Sequence, residues 1–186
     1  MRQALDLGRA ASSVIAALLA LAVAAPAHAA AGTAELKAVT GRVELQRKGD
    51  SRWSPAAVGA KLAEGDSLRA WARASARLDL LDGSTIFLAE NSRLVVGKLE
   101  FDQQNQVREA LFHLAVGKLR AVVSRAAISL VKARQSNFAI STQTAVAAVR
   151  GTDFEVTYDD RRKETRIAVL KEYDDTGDDR GNGDGS

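Results

Sequence analysis

Several segments of the chain alternate apolar and polar residues with a period of two. The clearest runs lie at residues 43–46, 76–80 and 154–158, where valine, leucine, phenylalanine or tyrosine alternates with polar or charged residues. Such alternation buries one face of a β-strand and leaves the opposite face in solvent. The pattern therefore favours β-structure and makes helix a minor element outside the first residues.

Short segments rich in glycine, aspartate and serine separate the apolar runs. They include residues 48–50, 64–66, 82–84, 150–152 and 159–160. Glycine allows positive φ where a chain reverses, and aspartate or serine hydrogen-bonds the neighbouring backbone. Closely spaced short strands with such turns predict an all-β domain, a sandwich, barrel or solenoid, rather than alternating βαβ units.

Residues 105–135 are the segment in which the periodicity is ambiguous. The apolar residues between Val107 and Val116 fit one face of a helix about as well as one face of a strand. Gly117 would cost about 1 kcal/mol relative to alanine inside a helix. The sequence therefore favours strands through Val123.

The first 29 residues have the organisation of an export signal. Arg2 and Arg9 precede an uncharged, alanine-rich apolar stretch at residues 10–25, followed by Pro26 and an A-x-A pattern that ends at Ala29. The apolar stretch is shorter than the roughly 20 residues of a membrane-spanning helix. We expect cleavage after Ala29 and a periplasmic or secreted protein with no stable membrane span, the alternative being an uncleaved anchor.

The composition argues against most enzyme chemistry. The chain has no cysteine and two histidines, of which His28 falls in the predicted signal peptide. His113 lies between two apolar residues of a predicted strand, which places it on the exposed side, and no motif supplies a nucleophile or orienting acid. The acidic residues show no spacing suited to a hydrolytic acid–base pair. We therefore expect no catalytic residue, no metal site and no cofactor.

Charge is distributed unevenly along the chain. The whole chain has 26 lysine and arginine residues against 23 aspartate and glutamate residues, but residues 174–186 are strongly acidic and glycine-rich. The remaining body, residues 30–173, is basic and has the size of one domain. The tail lacks the spacing of a calcium-binding EF-hand loop and is predicted to be a flexible end. Nucleic acid is not an expected partner, because it is scarce outside the cytoplasm.

The order of the motifs resembles the FecR domain family, which is named for a periplasmic regulator of ferric-citrate uptake. The matching motifs run through residues 41–156. In order they are Gly41-Arg42-Val43, Trp53-Ser54-Pro55, Gly65-Asp66, Asp82-Gly83-Ser84, Gly117-Lys118-Leu119, Phe138-Ala139-Ile140-Ser141-Thr142 and Arg150-Gly151-Thr152-Asp153-Phe154. The late Arg-Gly-Thr-x-Phe segment is the most specific of them.

The resemblance implies a single all-β domain over residues 30–173, a flattened β-solenoid or, alternatively, a β-sandwich or jelly roll. It implies a module without catalytic activity that contacts other envelope proteins in sensing or regulation. The signal peptide stands where the regulators of the family have a cytoplasmic segment that holds a sigma factor. We therefore expect the domain to be shared with those regulators but not direct control of a sigma factor.

The sequence also predicts roles for three particular side chains, a structural role for Arg150 and either core packing or ligand contact for the two tryptophans. Arg150 is flanked by Val149 and Gly151, and we expect it to turn inward and hold Asp153 or Asp79 by paired hydrogen bonds. Trp53 and Trp71 either cover the end of the core or form a platform on which sugar rings stack. The second possibility motivates an alternative function, a cell-wall module that binds peptidoglycan or another glycan.

Overall fold

The computed structural model of the chain describes residues 34–102, 107–124, 135–149 and 152–172. Some predicted features lie outside the described residues, namely the signal peptide, the acidic tail, Arg150 and Gly151. The structure does not test the predictions made for them. Within the described ranges there is no helix long and apolar enough to cross a membrane.

The described residues form β-strands and turns and contain no helix, which confirms the all-β prediction. Within these ranges the strands are β1 Ala34–Thr40, β2 Val43–Gln46, β3 Ser54–Pro55, β4 Lys61–Leu62, β5 Ser67–Ala70, β6 Ser75–Leu80, β7 Thr85–Leu88, β8 Ser92–Asp102, β9 Val107–Val122, β10 Gln135–Ser141, β11 Val146–Val149, β12 Thr152–Asp159 and β13 Glu164–Glu172.

Strand β9 connects two parts of one curled, open sheet. Its residues 117–122 pair with β12, and its last residues also pair with β7, in the part ordered β4-β1-β6-β7-β9-β12-β13, which we call sheet half 1. Its residues 107–116 pair with β8 and its first residues with β10, in the part ordered β3-β2-β5-β8-β9-β10-β11, which we call sheet half 2. The curled sheet is compatible with both the solenoid and the sandwich predictions.

The two sheet halves enclose one hydrophobic core. Leu78 and Ile86 of sheet half 1 and Leu94 and Phe112 of sheet half 2 are among its fully or almost fully buried members. Aromatic rings connect the halves, because Phe138 of β10 lies 6.0 Å from Phe112 and 6.3 Å from Phe154 of β12 between ring centroids. Alternate positions of strands such as β6 and β7 supply this core, as the period-two pattern predicts.

The ambiguous segment is a strand over residues 107–122, in agreement with the strand prediction through this region. Phe112 and Leu114 are buried, while His113 between them is partly exposed and its Nδ1 lies 3.1 Å from Ser141 Oγ. The strand bends at Gly117, whose φ is +95°. The strand is long enough to belong to both sheet halves. Residues 125–134 of the ambiguous segment lie outside the described residues.

Candidate functional site

The two tryptophans lie together on the outer face of sheet half 2, although 18 residues separate them in sequence. Glu44 of β2 is directly opposite Arg69 of β5, and Trp71 follows β5 while Trp53 precedes β3. These four residues and Arg42, immediately before β2, form a set that we call the arginine–tryptophan cluster.

Arginine side chains stack on both indole rings of the cluster. The Arg69 guanidinium carbon lies 4.2 Å from the Trp53 ring centroid and 4.5 Å from the Trp71 ring centroid. The Arg42 guanidinium carbon lies 4.7 Å from the Trp71 ring centroid. Each of these distances is within the roughly 6 Å range of a cation–π interaction. Stacking on the indoles therefore restricts the positions of the two guanidiniums.

Glu44 accepts hydrogen bonds from three side chains of the cluster. Its Oε1 accepts from Arg42 Nε at 3.0 Å and Arg42 Nη2 at 2.6 Å. Its Oε2 accepts from Trp71 Nε1 at 2.9 Å, from Arg69 Nε at 3.1 Å and from Arg69 Nη2. The alternation of β2 predicts an exposed Glu44, yet only 8% of this residue is accessible. The stacked side chains that cover Glu44 include Arg69 and Trp71, which are distant in sequence. The local alternation of β2 therefore could not predict this burial.

The same donors lower the pKa of the Glu44 carboxyl from 4.5 to about 2. The Trp71 N–H makes the largest contribution, followed by Arg69 and Arg42, because each donates a hydrogen bond to the ionised form. A carboxyl whose pKa is lower in the folded than in the unfolded state stabilises the fold above its unfolded pKa. This stabilisation is lost as the pH falls through the folded value.

We expect the natural protein to lose stability between about pH 4.5 and pH 2, as Glu44 takes up a proton. The Glu44→Gln variant should not show this loss. At pH 6 the variant should unfold at lower denaturant concentration, since the charge-assisted bonds are gone. The difference between the two proteins should shrink as the pH approaches 2. Urea titrations at several pH values measure it, with Glu35→Gln, an exposed partner of Lys37, as control. A difference that does not depend on pH would contradict the assignment.

The stacked arginines occupy part of the aromatic surface that the predicted sugar platform would use. A sugar ring needs an uncovered indole face, and both Trp53 and Trp71 already have a guanidinium on the ring. Trp71 retains partial exposure. Stacking by arginine therefore reduces the indole surface that a sugar ring could use.

Asp66 joins two turns of the chain, the one after β2 and the one before β5. Its Oδ2 accepts hydrogen bonds from Arg47 Nη1 at 2.7 Å and from the Ala63 backbone N–H at 3.0 Å, and its Oδ1 accepts from the Lys48 N–H at 3.0 Å. Gly65 beside it has a φ of +89°. The Asp66 carboxylate thus accepts backbone N–H groups from two turns. Little of its side chain is exposed.

Asp82 and Gly83 form the tight turn between β6 and β7. Asp82 Oδ1 accepts from the Ser84 N–H at 2.9 Å and its Oδ2 from the Ser84 hydroxyl at 2.7 Å. Arg108 Nε lies 2.9 Å from Asp82 Oδ2, with 8% and 2% of the two side chains exposed. Nε and Nη2 of Arg108 make no hydrogen bond, so the contact of Nε with Asp82 is electrostatic. Burial lowers the pKa of Arg108 and Asp82 opposes this effect.

Sequence reasoning missed Arg108, although the sequence contains a signal for it. Arg108 precedes Ala110, Phe112 and Leu114 at two-residue intervals, and all three of these residues are buried. A charged residue in register with a buried apolar row predicts a buried ion pair. Its partner could not be named, because Asp82 belongs to a different sheet half.

The late motif contributes to the core and to strand pairing. Phe154 is fully buried, and the Thr152 carbonyl accepts the Val123 N–H at 3.0 Å. The two carboxylates proposed for Arg150 have other partners, since Asp153 pairs with Arg120 and Asp79 with Arg77. Arg150 itself lies outside the described residues.

Strand β13 exposes apolar side chains at the edge of sheet half 1. Ile167, Val169 and Leu170 are 46%, 58% and 51% exposed. Ile167 is opposite Val156 and Val169 is opposite Phe154, both fully buried. Opposite residues project from the same face of a sheet. We call these three residues the open edge, because about half of each is exposed and, among the described residues, β13 pairs with β12 alone.

The described residues contain no group of three or more histidine, cysteine, aspartate or glutamate side chains that could hold a metal ion. The features that the structure assembles are therefore the arginine–tryptophan cluster, the buried Arg108–Asp82 pair and the open edge. Of these, only the cluster contains residues that sequence reasoning selected as ligand contacts.

Comparison with known proteins identifies one family. The family model described as FecR protein matches residues 66–172, more than half of the chain. The match begins at Asp66, includes the Asp82-Gly83 turn and extends to the end of β13. No curated protein and no solved structure matched the chain significantly. The family match confirms the resemblance inferred from the motifs, and the chain belongs to the FecR family.

Proposed function

We propose that this protein is a non-enzymatic interaction module of the bacterial envelope, and that a partner protein docks by adding a strand to β13. Membership of the FecR family supports a regulatory or signalling role. The observation that carries the docking proposal is the open edge. Export through the predicted signal peptide supports a periplasmic location.

The open edge has the properties of a binding surface. Three of the exposed large apolar side chains of the described residues lie on this one strand. Folded proteins usually protect an edge strand with charges, prolines or covering elements, since unpaired backbone groups attract other chains. Exposed apolar residues grouped at an edge are typical of a site that a partner covers.

The structure limits where a partner strand can pair. At the start of β13 the Thr165 hydroxyl lies 2.6 Å from the hydroxyls of both Thr142 and Thr144, which ties this end to the turn after β10. Near its end, the register with β12 shifts so that Leu170 has no opposite residue. Such a bulge disrupts regular pairing. The regular part of the free edge therefore lies between these two points and includes Ile167 and Val169.

A partner strand on this edge would gain main-chain hydrogen bonds and cover apolar side chains. The hydrogen bonds supply affinity, and the pockets between alternate side chains supply specificity. Ile167 and Val169 extend the core-facing side of the sheet, so a new strand would lengthen the existing core. An interaction of this kind needs no nucleophile, metal or cofactor.

The glycan-binding alternative has weaker support. Its main argument is the pair of tryptophans, whose rings are stacked by arginine. The open edge offers no planar aromatic surface for a sugar. We therefore rank docking of a protein first.

Photo-crosslinking in bacterial cells tests the docking proposal. A photoreactive amino acid at Ala168 of β13 should give a discrete adduct in the periplasmic fraction, and the same group at Phe87 of the central strand β7 should not. Ile167→Lys with Val169→Lys should reduce the Ala168 adduct at least about tenfold, because two apolar contacts are lost. Both residues are exposed, so the melting temperature should change little.

Two results would contradict the docking proposal. One is the same set of adducts from the Ala168 and Phe87 positions, which would indicate nonspecific contact. The other is an Ala168 adduct that persists in the double lysine variant at unchanged yield. Val58→Lys, at an exposed apolar residue before β4, is the matched control for added charge.

A further inference from the structure

The outer face of sheet half 2 carries a group of arginines that is separate from the open edge. We propose that Arg93, together with Arg42 and Arg69 of the arginine–tryptophan cluster, binds an acidic segment of a partner protein. Arg93 of β8 is directly opposite Arg69 of β5. Cross-strand neighbours lie about 5 Å apart, so the two arginines present adjacent positive charges on one face.

The surface carries uncompensated positive charge. Glu44 is the acidic member of the cluster, and it is shared by Arg42 and Arg69. Among the described residues, the Arg93 side chain has neither an ion pair nor a hydrogen bond, and it is exposed. Three arginines therefore stand against one carboxylate, and a further carboxylate would complement them.

The guanidinium nitrogens that make no hydrogen bond among the described residues also favour a carboxylate as the ligand. Arg42 and Arg69 each bind Glu44 through Nε and Nη2, and the Nη1 of each has no hydrogen-bond partner among the described residues. Arg42 is well placed to use it, because 67% of its side chain is exposed. Guanidinium groups bind carboxylates in pairs of parallel hydrogen bonds. Stacking on the indoles holds them in place before a ligand arrives, which reduces the ordering cost of binding.

The neighbours of Arg93 favour a polypeptide over a simple polyanion. Val116 of β9 is opposite Arg93, and Val95 lies two residues further along the same face of β8. Trp53 and Trp71 add aromatic surface beside the arginines. Arginine and tryptophan are among the residues that most often dominate the binding energy of protein interfaces, and the two valines add apolar surface beside them. It matches a segment with both acidic and apolar side chains.

Tryptophan fluorescence reports on this surface selectively. Trp53 and Trp71 are the two tryptophans of the chain, and both belong to the cluster. Titration of the purified protein with a short poly-glutamate peptide should change the fluorescence in a saturable way at low salt. Poly-lysine and poly-glutamine peptides of the same length should give no saturable change. Added salt should weaken the binding, since these charges are exposed.

Substitution of Arg93 distinguishes binding of the peptide at this site from nonspecific attraction of the peptide to a basic protein. Arg93→Ala should weaken binding of the poly-glutamate peptide about tenfold. Arg161→Ala is the matched control, because Arg161 is an exposed arginine without an ion pair in the turn between β12 and β13, and it should leave binding unchanged. Neither variant removes a described side-chain contact, so both should fold.

Three results would overturn the proposal. They are the absence of a saturable fluorescence change, equal weakening by Arg93→Ala and Arg161→Ala, and binding of inorganic polyphosphate as tight as that of the peptide with the same dependence on Arg93. None of these results affects the crosslinks expected at β13. A missing β13 adduct, in turn, leaves the peptide titration unchanged, so the two proposals fail separately.

Discussion

Asp82→Asn is expected to destabilise the protein by about 3–5 kcal/mol, because it leaves the charge of Arg108 buried without a counter-charge. The two side chains are almost fully buried, and Nε of Arg108 lies 2.9 Å from Oδ2 of Asp82. An asparagine retains an oxygen that can accept the Ser84 N–H, so most of the loss comes from the charge. Urea denaturation followed by circular dichroism at neutral pH measures the change.

Two further variants show that the loss belongs to the ion pair. Arg108→Met combined with Asp82→Asn should be more stable than Asp82→Asn alone, because the uncompensated charge is gone and methionine fills the space. Asp79→Asn breaks the exposed ion pair with Arg77 and should cost at most about 1 kcal/mol. A loss below about 1 kcal/mol for Asp82→Asn would show that the buried arginine does not depend on this carboxylate.

Gly117→Ala is expected to destabilise the protein by about 2–6 kcal/mol through backbone strain and a steric clash together. Gly117 has a φ of +95°, which residues with a Cβ rarely adopt. A Cβ at this position would lie 2.6 Å from Ser92 Cα and 2.7 Å from the Asn91 carbonyl oxygen, and closer still to Ser92 Oγ. Ser92 is held by hydrogen bonds with the Lys118 N–H and the Glu90 carbonyl, so it cannot move away freely.

Gly59→Ala separates the two causes of this loss. Gly59 has a similar φ of +87°, but an added Cβ would meet no atom within 4 Å. Its cost should therefore be limited to the strain, about 1–3 kcal/mol. Thermal and urea unfolding of both variants give the difference, which measures the clash at the bend of β9. Equal losses would show that β9 can shift at Gly117 without disturbing β8.

The strands and turns could be predicted from local sequence. Alternation at residues 76–80 and 154–158 depends on residues two positions apart, and a strand presents them on one face whatever its neighbours. The turn at Asp82-Gly83 is equally local, because its hydrogen bonds join residues two apart. The FecR family was also accessible, since its motifs lie in order along the chain.

The sites depended on contacts between distant segments. The period of β2 predicts an exposed Glu44, but Arg69 and Trp71, about 25 residues away, cover it and lower its pKa. Conversely, the apolar residues of β13 match the pattern of a half-buried strand, and yet Ile167 and Val169 remain exposed. Burial depends on which element lies opposite, and a local period contains no information about that element.

From the amino-acid sequence alone it follows that the chain forms β-strands, where most of them turn and which family it belongs to. The folded structure was needed to show that Trp53 and Trp71 share one arginine, that Arg108 lies beside Asp82 and that β13 forms a partly exposed end of a sheet half. Side-chain alternation and turn chemistry act between near neighbours in sequence. Ion pairs, stacking and edge exposure arise only when the curled sheet brings remote strands together.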